Sequence, residues 1–164
     1  MDAAVARGGG WARRGAGAVS ASDVAGWRDA LVGVDREVTD AERVDQLRVL
    51  EELKCAAAAA QARIAVDLEA SQRAEQARAG LRAEERGKGV GAQVALARRE
   101  SVHRGGRLLG LANALVREMP HTFAALQAGV LSEWRATILV RESAALTLPD
   151  RAVLDAEGGV APRV

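Results

Sequence analysis

The stretch of residues 93–141 reads QVALARRESVHRGGRLLGLANALVREMPHTFAALQAGVLSEWRATILVR and carries most of the helix signals in this chain. Apolar residues recur along it at spacings of three and four, which is the pattern of helices that bury one face. Ser101 and Ser132 are placed to cap two of these helices, and Pro120 ends one helix and begins a shorter one. Gly129 suits the C-terminal cap of the shorter helix. The stretch therefore predicts three helices that pack as neighbours.

Each of these predicted helices carries apolar side chains on one face, and we expect the faces to form the core. The helix after Ser101 should end near Met119, because a proline follows it. The expected core residues are Val102, Leu108, Leu109, Ala112, Leu115, Val116, Phe123, Leu126, Trp134, Ile138, Val140 and Leu146.

The longest predicted element runs from about residue 40 to residue 79, opening at Thr39 or Asp40 and ending before Gly80. Apolar residues step along it by three or four, so one face should pack against the shorter helices. An antiparallel partner within the chain is favoured, and a homodimer through a coiled-coil seam on the same helix is the alternative. The residues of the predicted face are Val44, Leu47, Leu50, Leu53, Ala57, Ala60, Ile64 and Leu68.

The composition favours helix throughout the chain. Its 164 residues include 36 Ala, three Trp, one Phe and no Tyr, and Ala is a strong helix former and poor strand material. We therefore predict an all-α fold, with one long helix packed against several shorter ones. Residues 1–21 are expected to be disordered, residues 22–157 to form one helical domain, and residues 158–164 to be a short tail.

Three smaller elements complete the predicted domain. A short helix should follow Ser22 or Asp23, residues 80–91 should form a flexible connector, and Arg151–Glu157 should form a last helical turn or two. The short helix has an apolar face of Val24, Trp27, Leu31 and Val34.

Several classes of function are disfavoured by the residue types present. The one cysteine, Cys55, allows no internal disulfide, suits a reducing compartment and is expected to be a small buried residue. No apolar run is long enough to span a membrane and no secretory signal is evident, so a cytoplasmic location is predicted. With only His103 and His121 as histidines, we predict no metal, cofactor, catalytic residue or small-molecule substrate.

Positive charge is concentrated in one segment. Residues 78–117 contain nine Arg or Lys and three Glu, whereas the whole chain has a net charge of +1. This segment is a candidate phosphate-facing surface, and solvated helix faces balanced by acidic neighbours are the ordinary alternative. The candidate nucleic-acid-binding residues are Arg98, Arg99, His103, Arg104 and Arg107, with DNA as the candidate partner.

Residues 95–108 also resemble a helix-turn-helix, in which His103, Arg104 and Arg107 would face the groove of DNA. Two features oppose this interpretation. The turn positions Arg99 and Glu100 lack the expected glycine and apolar residue. Two adjacent glycines after His103 and Arg104 would weaken a recognition helix.

The segments VALARRESVHRGGRLLGLANAL and MPHTFAALQAGVLSEWRATILVRESAALTLPDRAVLDAE resemble the 13E12 repeat family of high-GC Gram-positive bacteria, also called domain of unknown function 222. The preceding segments LEELKCAAAAAQARIAVDLEASQR and GKGVGAQVALARR fit the same pattern. The likeness therefore covers about Leu47 to Glu157.

The resemblance implies a helical region that precedes a C-terminal HNH nuclease domain, which is a ββα-metal module that cleaves nucleic acid. The catalytic residues of that module lie beyond the last residue of this sequence, so we expect a truncated or frame-shifted product without nuclease activity. The function expected first is a non-catalytic helical module that binds or positions nucleic acid. A packing or dimerisation module with no nucleic-acid role is the alternative, and an enzyme with an unrecognised site is the third.

Overall fold

The computed structural model describes residues 19–158, within which the regular elements are seven α-helices and two short 3₁₀ turns, without a strand. This confirms the all-α prediction and the long helix packed against shorter ones. The helices are α1 (Ala21–Ala30), α2 (Asp40–Arg78), α3 (Val90–Arg98), α4 (Val102–Glu118), α5 (Pro120–Gln127), α6 (Glu133–Glu142) and α7 (Leu148–Gly158), and the 3₁₀ turns are Leu31–Gly33 and Ala83–Glu85.

The chain divides into two compact units, Met1–Arg43 and Val44–Val164. Most of the predicted disordered segment (residues 1–18 of 1–21) lies outside the described residues, as does the predicted tail beyond residue 158. Ser20 and Ala21, which we had predicted to be disordered, cap and begin α1.

In the first unit, α1 begins earlier than predicted. Ser20, and not Ser22 or Asp23, is its N-cap: the Ser20 hydroxyl accepts from the Asp23 backbone N–H (3.2 Å), and the Asp23 carboxylate accepts from the Ser20 N–H (3.0 Å). This reciprocal pair is a capping box, so Asp23 occupies the third position of the helix. The expected apolar face of Val24 and Trp27 is half exposed.

Helix α2 begins and ends where the sequence predicts. The Thr39 hydroxyl accepts from the Glu42 N–H (3.3 Å), and the Glu42 carboxylate accepts from the Thr39 N–H (3.1 Å). Hydrogen bonds from the Thr39 backbone N–H, and then from its hydroxyl, hold the pKa of the Glu42 carboxyl below its usual value. The C-terminal end follows from Gly80, whose φ of 81° is in the left-handed region.

The face of α2 that is buried differs from the predicted one. Six of the eight residues of the predicted face are exposed, and the other two, Leu50 and Leu68, are partly buried. The exposed ones are Val44, Leu47, Leu53, Ala57, Ala60 and Ile64. The prediction failed because five consecutive alanines are apolar at every angle around the helix, so spacing alone cannot decide which of them faces inward. The residues that α2 buries are Cys55, Ala58, Ala59, Ala65 and Val66.

Two groups of buried side chains pack on this small-residue face and form the core of the second unit. The first joins α2 to α4, α5 and α6 through Leu115, Leu126 and Ala136, each of which is 1% exposed or less. The second joins α2 to α3 and α4 through Val90, Val94 and Ala112. Helices α3, α4, α5 and α6 therefore all pack on α2.

Helices α3 and α4 approach each other closely where they cross. A Cβ added to Gly105 of α4 would lie 2.5 Å from the Ala95 Cβ of α3, and closer still to the Gly91 carbonyl oxygen. The turn between them closes with the Glu100 N–H donating to the Ala95 carbonyl (2.8 Å). Arg99 adopts the left-handed φ of 57° in this turn, at a position where glycine is usual.

The other connections are also held in place. Gly129 ends α5 with a φ of 76°, as predicted, and a Cβ there would lie 2.7 Å from the Glu52 Cβ on α2. The predicted flexible connector over residues 80–91 is instead fixed to α2. Arg73 donates to the Arg86 carbonyl (2.8 Å), and the Gly87 N–H donates to the Gln76 side chain (2.6 Å).

Helix α7 is longer than the predicted turn or two and is attached to α5 through Asp155. This carboxylate is 1% exposed and accepts from the backbone N–H groups of His121 and Thr122, each at 2.8 Å. It therefore caps the N-terminus of α5 from outside the helix. An ion pair between Arg151 and Glu118 adds a contact from α7 to α4.

We predict that Gly105→Ala destabilises the protein by about 1–3 kcal/mol, because a methyl group at the crossing forces α3 and α4 apart. Urea unfolding followed by circular dichroism measures this change. Gly106→Ala is the matched control: it is the adjacent glycine of the same helix, a Cβ there meets nothing within 4 Å, and it should stabilise by up to about 1 kcal/mol. Equal stability of the Gly105→Ala variant and the parent protein would contradict the close crossing.

Candidate functional site

A cleft of about 550 Å³ opens between α4 and α6 in the second unit. Its position follows from the close crossing at Gly105, since that crossing brings the C-terminal turn of α3 beside the first turns of α4. The cleft is lined by Arg98 of α3, by Arg104, Arg107, Leu108 and Leu111 of α4, and by Glu133, Trp134, Thr137, Val140 and Arg141 of α6.

The charges of the cleft are mainly positive, although most of them are paired. Arg98 lies 3.3 Å from the Glu133 carboxylate across the cleft. Arg104 pairs with Glu100 on its own side (3.1 Å), and Arg141 pairs with the adjacent Glu142 (2.8 Å). Arg107 forms no ion pair with any of residues 19–158. The Arg141–Glu142 pair is exposed, and exposed pairs are worth at most about 1 kcal/mol, so this pair leaves the Arg141 guanidinium able to bind another anion.

Trp134 is the aromatic side chain of the cleft, and 67% of it is exposed. The predicted position of Trp134 on the buried face of α6 is wrong. Ser132 caps α6 by accepting from the Arg135 N–H (3.3 Å), and the helix then turns Ala136 to the core with 0% exposure. Trp134 lies two residues earlier, about 200° around the helix, and therefore faces away from α2.

The remaining predicted core residues of this region need correction too. Helix α6 ends at Glu142, so Leu146 lies beyond it and is exposed. On α4, Val102 is also exposed, because it occupies the first turn before the helix reaches the core.

The structure brings together three of the five predicted binding residues. Arg98, Arg104 and Arg107 line the cleft. Arg99 does not, because it occupies the left-handed turn between α3 and α4, where it is exposed. His103 is also exposed and lies on α4 one helical turn before Arg107, outside the lining.

Most of the cleft residues that were not predicted from the sequence come from α6. Trp134, Thr137 and Arg141 are spaced by three and four, so they lie along one face of that helix. This spacing was visible in the sequence, but it is the same pattern that a buried face would show. We name the set of Arg98, Arg104, Arg107, Arg141 and Trp134 the basic cleft.

Other side chains within residues 19–158 are weaker candidates for a catalytic or metal-binding site. Burial raises the pKa of the Cys55 thiol, so that side chain is largely an uncharged thiol at neutral pH and a weak nucleophile. Among these residues, no set of three or more His, Cys, Asp or Glu side chains is arranged to hold a metal ion. None of the helices in this range is long and apolar enough to cross a membrane.

Comparison with protein-family models, with curated proteins and with solved structures finds no match for this chain. The resemblance to the 13E12 repeat family therefore stays a prediction. The chemistry of the basic cleft is the remaining basis for assigning a function.

Proposed function

We propose that the second unit is a nucleic-acid-binding module and that the basic cleft is its contact with the phosphate backbone. The observation that carries this proposal is the convergence of arginines from three helices on one concave surface. Arg98, Arg107 and Arg141 are separated in sequence but line the same cleft. Charged side chains spread by chance over helix faces have no reason to meet around one opening.

The chemistry of the guanidinium group supports this choice of ligand. Each guanidinium presents five N–H donors in a plane, which matches the oxygens of a phosphate group. Arg107 has its full donor set available, and the guanidinium groups of Arg104 and Arg141 are exposed although each is paired with a carboxylate. The basic segment of residues 78–117 adds a longer-range attraction for a polyanion.

We further propose that the module binds or positions nucleic acid and does not itself cut it. The cleft lining contains one carboxylate, Glu133, which is paired with Arg98, and it contains no histidine. Cleavage by general-base catalysis requires a side chain beside the scissile phosphate that accepts a proton. The carboxylate of the cleft lining is instead paired with Arg98. The resemblance to the 13E12 repeat family agrees with a module that binds without cutting, because it implies that a separate HNH domain cleaves the nucleic acid.

The affinity for a labelled oligonucleotide should fall as salt rises, because binding releases condensed counterions. Replacing Arg104 and Arg107 together with alanine should weaken binding and reduce the slope of log affinity against log salt by about two, or about one for each phosphate contact. Fluorescence anisotropy at several salt concentrations measures both quantities.

The matched control is the double variant Arg117→Ala and Arg135→Ala, which removes the same charge from exposed positions of α4 and α6 outside the cleft lining. It should change the slope much less. An equal loss of affinity in the two double variants would mean that net charge alone attracts the oligonucleotide and that the cleft is not the site.

A second candidate function, homodimerisation, is favoured by a separate feature of α2. Leu53, Ala57, Ala60 and Ile64 alternate at spacings of four and three and are all exposed. At 100° per residue they lie on the side of α2 opposite to its buried face. We name these four residues the outer face, and their spacing is that of a coiled-coil seam.

If the outer face joins two copies, light scattering should give the mass of a dimer, and Ile64→Glu should convert it to a monomer because a buried charge is strongly unfavourable at a seam. Val153→Glu is the control, since Val153 is a similarly exposed apolar residue on α7. A monomer at all protein concentrations would exclude this candidate.

A further inference from the structure

We propose that the basic cleft takes an unpaired nucleic-acid strand, with one base stacked on the indole of Trp134. This inference rests on the proposed function and adds to it the strand state of the ligand. Its basis is the presence, in one cleft, of an exposed aromatic ring together with the arginines that the proposed function assigns to phosphate.

The two walls of the cleft offer different chemistry. Helix α4 contributes Arg104 and Arg107, whereas α6 contributes the exposed ring of Trp134 beside one further arginine, Arg141. Single-stranded nucleic acid has the matching pair of features, a charged backbone and planar bases that stack on aromatic side chains. A backbone on the α4 side would therefore leave a base within reach of the α6 side.

The floor between the walls is apolar. Leu108 and Leu111 of α4 and Val140 of α6 line it. The Thr137 hydroxyl donates to the Glu133 carbonyl (2.8 Å) and is thus engaged within its own helix. A ligand that presented phosphate alone would leave this surface uncovered, whereas a nucleobase would bury its ring against it.

A duplex fits the same surface poorly. A recognition helix must enter the major groove, which is about 12 Å wide and admits one helix. Here Arg104 and Arg107 line a cleft whose other wall is α6, so a duplex that contacts them has to accommodate α6 as well as α4. The bases of a duplex are also stacked on one another, which hides their faces from Trp134.

An acidic peptide is the competing occupant, since carboxylates also pair with arginine. An acidic peptide does not carry a planar ring beside each charge. It would therefore pair with the arginines without stacking on the Trp134 indole. The unpaired strand accounts for both walls and for the floor, and we therefore favour it.

The test uses the full chain with Trp11→Phe and Trp27→Phe, so that Trp134 is the sole tryptophan and reports directly on the cleft. It is titrated with an oligodeoxythymidylate of about twelve nucleotides, which spans a typical single-strand site. The three comparison ligands, at equal salt, are an abasic strand of the same length, a duplex of the same length and a polyglutamate peptide. We expect the single strand to quench Trp134 emission and to bind about ten-fold more tightly than the abasic strand.

In the otherwise native chain, Trp134→Ala should weaken single-strand binding by about ten-fold and leave the salt slope unchanged, because stacking releases no counterions. Trp134→Phe should retain part of the affinity. Circular dichroism should be unaltered in both variants, since the side chain is mostly exposed.

The other outcomes separate this inference from the proposed function. Equal binding of the base-containing strand, the abasic strand and the duplex, with Trp134→Ala unchanged and the Arg104/Arg107 double variant weakened, overturns the stacking inference and leaves nucleic-acid binding standing. Polyglutamate binding as tight as that of the single strand also overturns it. If no nucleic acid binds, the inference and the proposed function are both wrong.

Discussion

Close approach between helices on small side chains is the constraint on which this structure depends. The buried face of α2 consists of Cys55, four residues of alanine or valine and no large side chain, and larger side chains of other helices, such as Leu115 and Leu126, pack on it. A missing side chain allows close approach where Gly105 of α4 meets Ala95 of α3 and where Gly129 meets Glu52 of α2. A protein with one Phe and three Trp has little aromatic volume for its core, which is built mainly from Leu, Val and Ala.

The site is a consequence of this packing. The crossing at Gly105 holds the end of α3 against the start of α4, which brings Arg98 into the same cleft as Arg104 and Arg107. The support of α2 beneath α4 and α6 fixes the two walls relative to each other. The large side chains of the core are Leu115, Met119, Phe123, Leu126 and Leu131, and Trp134 is not among them. That ring is left on the surface at the mouth of the cleft.

The sequence predicted much of this architecture and less of the site. Caps and breakers are local signals, and Thr39, Ser101, Ser132 and Gly129 act as predicted because their hydrogen bonds and dihedral angles involve only near neighbours. The predicted buried face of α2 was wrong, since a run of alanines is apolar on every side of the helix and does not show which side faces the core. The position of Trp134 was wrong for a related reason: an apolar residue at helical spacing suits a core and an exposed binding surface equally well.

Gly105 is the most informative of these differences. Its sequence context suggested a weakened helix, since glycine lowers helix stability by about 1 kcal/mol. The structure shows that its missing side chain is what allows α3 and α4 to meet. No pattern within one helix reveals such a requirement, because the contacting atoms lie ten or more residues away in the chain. The convergence of arginines on the cleft could not be predicted either, because they come from three helices that are separated in the chain.

The central claim, that the cleft between α4 and α6 is where an unpaired strand binds, is tested most directly by nuclear magnetic resonance. An isotope-labelled sample is titrated with a single-stranded oligonucleotide of about twelve residues, and the indole and backbone N–H signals are followed. The claim predicts one saturable transition in which the Trp134 indole and the amides of residues 104–111 and 134–141 move most, while the Trp27 indole stays in place. A Trp134 signal that is unchanged at saturation, with the largest shifts on the outer face of α2, would contradict it.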